Sequence, residues 1–136
     1  MKKTVLDGKQ WILDLLLKAG INNVISGKIY KDKRPADSQK EDIVINSLTM
    51  TNHFLQNGVF NVNCYVPKKL VKIQDKNQYH TDYARMKHIV DLVYPVLTDV
   101  WEEDFNLNVA SQQHFEEEKE DYYNFRVEIN AYPDKN

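Results

Sequence analysis

The sequence predicts an α+β fold: a mainly antiparallel sheet of four or five strands with two helices packed on one face, in the order α-β-β-α-β-β. Three observations carry this expectation. Trp11, Ile12, Leu15 and Leu16 recur at helical spacing near the start, and Met86, Val90, Val93 and Leu97 do so again in the middle. Phe60, Val62, Cys64 and Val66 alternate with polar or aromatic neighbours, as half-buried strands do. Tyr123, Phe125, Val127, Ile129 and Ala131 repeat that alternation at the far end of the chain. At 136 residues, positions 1–136 read as a single domain large enough to bury a core.

The first helix starts at Asp7 as N-cap, with Gln10 three residues on and Leu6 and Trp11 placed for a hydrophobic staple. Ala19 continues its apolar stripe and Gly20 ends it, with Ile21 as the apolar contact beyond. Ser26 to Asp37, SGKIYKDKRPAD, then forms a basic connection in which Pro35 biases Arg34 away from helical geometry. Ile43-Val44-Ile45 reads as a buried strand reaching toward Leu48. Thr49 to Gln56 reads as an extended, mobile arm, with Asn57-Gly58 as a turn before the strand that Pro67 stops. Residues 68–80 are polar and weakly patterned, and read as loop.

Thr81 caps the second helix, whose apolar positions run from Tyr83 to Val100; Pro95 kinks or restarts it. The seam spans fewer than three heptads, which favours packing on a sheet over a coiled coil. Leu107, Val109, Ser111, Gln113 and Phe115 form one face of the next strand, and 116–121 (EEEKED) the exposed hairpin tip before the last.

Composition bounds the function classes. Hydrophobic residues make up 42% and charged residues 28%, ordinary values for a globular protein. The start shows neither signal-peptide core nor cleavage site, and no apolar run has the length of a membrane span. One cysteine, Cys64, fits a reducing setting. Net charge is −2, but residues 1–98 carry 15 Lys/Arg against 9 Asp/Glu, and residues 99–136 carry 3 against 11. Opposite patches of this kind can meet head to tail between copies and close into a ring.

No reaction emerges from the residues. Gly27-Lys28 lacks the upstream glycine and the following Ser/Thr of a phosphate loop, and it follows a helix. Lys28, Lys31, Lys33, Arg34 and Tyr30 make a small nucleic-acid footprint, diluted by Asp32 and Asp37. His53, His80, His88 and His114 form no metal-binding pair, and one cysteine cannot build a thiolate zinc site. His88 and Asp91 read as a surface pair, Cys64 as a core thiol, and the acidic runs as solvated faces without the asymmetry of a catalytic pair. The reading therefore assigns no catalytic residue, cofactor or metal ligand.

Three passages nevertheless carry a likeness: WILDLLLKAGI, SGKIYKDKRPADSQKEDIVIN and GVFNVNCYVPKK, with DYARMKHIVDLVYPVL and the closing strand pair in the same layout. With them the chain resembles the tail-terminator, or tail-completion, proteins of long-tailed bacteriophages and prophages. The resemblance implies a structural protein, not an enzyme, without cofactor, made in the bacterial host cytoplasm and built into the virion tail or neck. It implies self-assembly into a ring, typically a hexamer, that caps the tail-tube protein and faces the neck or connector proteins, with DNA only as passing cargo and no membrane. Another neck component, such as a head-completion or head-tail joining protein, is the alternative, followed by a non-viral α+β binding module. On the ring reading, Lys28, Lys31, Lys33 and Arg34 form one subunit-interface patch. Glu116, Glu117, Glu118, Glu120 and Asp121 form the opposing one.

Overall fold

The computed structural model describes residues 2–134. Helix α1 spans Val5–Lys18 and is capped by Thr4 rather than Asp7. The Thr4 hydroxyl accepts from the Asp7 N–H at 3.3 Å, and the Asp7 carboxylate accepts from the Thr4 N–H at 2.7 Å. Asp7 thus supplies the return half of a capping box. Leu6 falls inside the helix and is exposed, so Leu6 and Trp11 no longer hold the staple positions. The helix closes where Gly20, at φ 76°, donates its N–H to the Leu17 carbonyl at 3.0 Å.

The expected four- or five-stranded antiparallel sheet is replaced by a six-stranded mixed sheet and a separate two-stranded hairpin. In chain order the strands are β1 (Ile29–Lys31), β2 (Asp42–Met50), β3 (Gln56–Pro67), β4 (Lys69–Ile73), β5 (Lys76–His80), β6 (Val100–Trp101), β7 (Phe105–Glu116) and β8 (Glu120–Ala131). Helix α2, Tyr83–Val93, lies between β5 and β6, and the large sheet runs β1-β2-β3-β8-β7-β6. Only β1 is parallel to its neighbour. β1 and β6 escape sequence reading because they are three and two residues long, too short to show a period.

Several local expectations change with the topology. Thr49 and Met50 belong to β2 and Gln56 opens β3, so the arm is a tight connection in which the buried Gln56 amide donates to the Lys3 and Thr51 carbonyls. Asn57-Gly58 lies within β3 instead of turning the chain. Residues 68–80 are the β4–β5 hairpin, turned by Gln74 and Asp75 with φ of 50° and 65°. That is the φ signature of a two-residue hairpin turn, made without the usual Asn-Gly. Asp82, not Thr81, caps α2 by accepting from the Arg85 N–H at 3.1 Å. The helix stops at Val93, and Pro95 falls in a 3₁₀ turn over Tyr94–Leu97. Val100 is therefore in a strand, not in the helix.

Both helices pack on one sheet face. Ile12 and Leu16 of α1 and Met86, Ile89 and Val93 of α2 meet Ile43, Ile45, Phe60, Val62, Phe125 and Val127. The Arg85 guanidinium anchors α2 to the chain before β2 through both Glu41 carboxylate oxygens, at 2.5 and 2.9 Å. The alternation in β3 and β8 is as the sequence predicts: Phe60, Val62, Cys64 and Val66 are buried, as are Phe125, Val127, Ile129 and Ala131. In β7 it breaks. Val109 faces Val127 but Ser111 already faces Arg126, so Ala110 is an extra, bulged residue. Beyond the bulge the faces exchange, and Phe115 stacks on Tyr122 at 4.8 Å on the side away from the helices.

Cys64 has no exposed surface, and burial pushes its thiol up from an ordinary 9.0 to about 12. Because the buried thiol favours the neutral form, its contribution to stability is complete below pH 9 and is lost as pH rises toward 12. A thiol-specific disulfide reagent at pH 8 is expected to leave the native protein unlabelled. Labelling should appear only across the urea unfolding transition, whereas fast labelling without urea would contradict this burial.

Candidate assembly interface

The sheet face opposite the helices is lined by side-chain amides. Asn124 donates to Asn63 at 2.7 Å and to Asn61 at 3.1 Å, and Asn61 passes the chain on to Asn46 at 2.9 Å. A second row runs from Asn57 to Asn130 to Asn106 and ends on the Tyr132 hydroxyl. These rows cross from strand to strand, so neutral amides satisfy one another where charges in register would repel.

At one end of this face lie the predicted interface residues, and their placement revises the two-patch picture. The Arg34 guanidinium sits 3.8 Å over the Tyr65 ring, bonds the Asp42 carboxylate at 3.2 Å and bonds Glu120 as well. Burial works against its charge, but the Glu120 and Asp42 carboxylates outweigh that and hold its pKa above the ordinary value. Asp42 also accepts from the Lys28 N–H at 3.0 Å and the Ser38 hydroxyl at 2.5 Å. Arg34 and Glu120, expected on opposing patches between copies, are therefore partners within one chain. The basic connection and the acidic turn lie side by side, because β8 starts next to the end of β3.

The other residues divide in the same way. Lys31 donates to Gln10 at 2.5 Å, while Lys28 and Lys33 are exposed. Glu116 accepts from Lys68 at 3.2 Å and from Thr81 at 3.3 Å, and the Lys68 hydrogen bond lowers its pKa. Glu117 and Glu118 remain exposed on a turn closed by the Glu117 N–H on the Glu120 carbonyl. Asp121 is the clearest departure from an exposed tip: its side chain is 1% exposed. It lies 3.7 Å from both Lys68 Nζ and His114 Nε2, and neither carboxylate oxygen has a hydrogen-bond partner among the described residues. It belongs to the interior of the hairpin base, not to a docking patch.

Two features that sequence reading missed are better placed to meet another molecule. The first is the outer edge of β7. The strand β6 pairs with Asn106 and Leu107, so among the described residues the twelve-residue β7 leaves its backbone edge unpaired in the sheet from Val109 to Glu116. Beside that edge is a groove of about 590 Å³ floored by Met86, Val90 and Tyr94 of the α2 region and walled by Tyr83, His114 and Tyr123. The second is the β4–β5 hairpin, in which every residue but Val71 is exposed. Leu70 and Ile73, at 58% and 40% exposure, and Tyr79 are open to solvent. Val71 and Ile73 with the aromatic Tyr79 are the available signal for strands here, masked by six interspersed polar or charged residues and an atypical turn.

Comparison with known proteins adds no family to this description. No protein-family model matches the chain, and no curated protein matches it. Among the described residues, no group of three or more His, Cys, Asp or Glu is arranged to hold a metal ion. No described helix is long and apolar enough to cross a membrane.

Proposed function

We propose that this chain is a structural subunit of a long-tailed phage or prophage particle, a tail terminator that forms a ring on the end of the tail tube and offers a surface to the head-side connector. The observation that carries the assembly reading is the unpaired edge of β7 alongside an apolar groove. An open strand edge with apolar surface next to it invites pairing with another chain, and monomeric proteins normally cover or charge such edges. The tail identity rests on the sequence resemblance. A heterologous contact of this kind, repeated around an axis, generates a ring. The acidic excess of residues 99–136 suits a ring that DNA passes without adhering.

Light scattering coupled to gel filtration is expected to give a mass several times the 16.0 kDa of one chain, with rings in negative stain. Addition of the tail-tube protein should place those rings at one tube end and halt tube growth. A strict monomer at high concentration, with and without tube protein, would remove the ring reading. An oligomer that ignores tail tubes but binds a head-side connector would assign the chain to another neck component instead.

A further inference from the structure

Resting on that ring reading, we infer that the β4–β5 hairpin of one copy is the occupant of the β7 edge and apolar groove of the next copy. The hairpin is unlike the rest of the molecule in needing a partner. Its register places Leu70 opposite Tyr79 and Ile73 opposite Lys76, so it carries apolar side chains on both faces. An isolated two-stranded ribbon is at best marginally stable in water, and these strands bury almost nothing against their own chain. The base is held by the Lys69–Asp82 ion pair and by Lys68 on Glu116, which leaves the turn at Gln74 and Asp75 projecting.

Shape, length and charge of the receiving site match this arm. Each hairpin strand has five residues and spans roughly 17 Å, shorter than the unpaired stretch Val109–Glu116 that it would extend. Strand addition there satisfies backbone groups that β6 leaves uncovered, while Leu70 and Tyr79 fall toward Met86, Val90 and Tyr94 of the groove. The hairpin carries Lys69, Lys72 and Lys76 against Asp75 alone. The receiving edge continues into Asp99, Glu102 and Asp104 around β6, an acidic excess even with Lys18 of α1 beside Glu102 and Asp104. A basic ribbon therefore meets an acidic edge, whereas Arg34 and Glu120 already pair with each other within one chain. The contact joins two different surfaces of the chain, as closure of a ring requires.

Two variants of the full chain test this. Leu70→Asp with Tyr79→Asp changes exposed residues only, so the circular dichroism spectrum and urea midpoint should stay near wild type. Self-association should weaken by at least about 30-fold, the loss typical of removing a central anchor of an interface. Separately, Ile73→Cys and Gln113→Cys chains, whose substituted positions share the face away from the groove, are mixed and oxidised; Cys64 is buried and takes no part. A disulfide joining the two different variants is expected, with far less product from either alone. An oligomer that survives the Asp substitutions and yields no mixed disulfide overturns the hairpin contact and leaves the ring reading standing. A wild-type chain that stays monomeric at every concentration overturns both.

Discussion

Replacing Arg34 with methionine is expected to destabilise the fold by about 3–5 kcal/mol, the cost typical of removing one member of a buried ion pair. The reason is Asp42, whose side chain is 1% exposed and whose carboxylate accepts from the Ser38 hydroxyl and the Lys28 N–H beside Arg34. Without the guanidinium those two donors remain, but no cation balances the carboxylate, and Glu120 loses its partner as well. Arg34→Lys should fall between wild type and methionine. A lysine keeps the charge but cannot lie flat on Tyr65 while forking to two carboxylates. Pairing Arg34→Met with Asp42→Asn should recover part of the loss, since it removes the stranded charge. By contrast Lys33→Glu, one residue away and exposed, should stay within about 0.5 kcal/mol of wild type. Urea unfolding followed by circular dichroism separates these cases, and an Arg34→Met variant as stable as Lys33→Glu would show that the node is not structural. The comparison also protects assembly experiments, since reversing Arg34 would damage the fold before it reported on any interface.

Gly8→Ala is the second large effect, and its sign runs against helix propensity. Within α1, alanine should be favoured over glycine by about 1 kcal/mol. A Cβ on Gly8, however, would stand 2.1 Å from Cζ of Phe60 and 2.7 Å from Cε2. Phe60 has no exposed surface, and a Cβ on Gly58 would also meet the ring, at 2.9 Å. The buried ring thus fits closely against both glycines. Overpacking of this kind costs typically about 1–3 kcal/mol, so the variant should be less stable than wild type despite the better helix former. Phe60→Leu in the same background should relieve much of the clash while costing stability by itself, giving a coupling of opposite sign to the single effects. Additive effects in the double-mutant cycle would mean that α1 shifts to accommodate the methyl group. Phe60→Ala alone empties that space and is expected to cost about 3–5 kcal/mol.

Phe60 was recognised as a core residue because it stands in phase with Val62, Cys64 and Val66, and that phase is a property of neighbouring residues alone. That its ring needs Gly8, fifty-two positions earlier, follows only from the packing of α1 on β3. From its sequence neighbours Arg34 reads as part of an outward cationic patch. The acids that claim it stand at positions 42 and 120, and the second reaches it only because β8 pairs with β3 along its whole length. Asp121 was read as exposed because it ends an acidic run; strand pairing turns it inward while Glu117 and Glu118 stay outside. Phe115 stands in alternation with Leu107 and Val109 in the sequence, and one bulged residue places it on the other face.

By itself, then, the sequence determined an α+β chain with an amphipathic first helix, a second helix interrupted near Pro95, and two long strands whose buried faces are in register with period two. Each of these depends on residues within a few positions of one another, where side-chain direction follows directly from backbone geometry. The tertiary structure decided the number and order of strands, the pairing of Arg34, the burial of Asp121, and the edge of β7 left open beside its groove. Those are outcomes of which distant segments become neighbours. The short strands β1 and β6 and the polar hairpin β4–β5 bury too little to write a local pattern, so their existence is settled by the partners they find and not by their own residues.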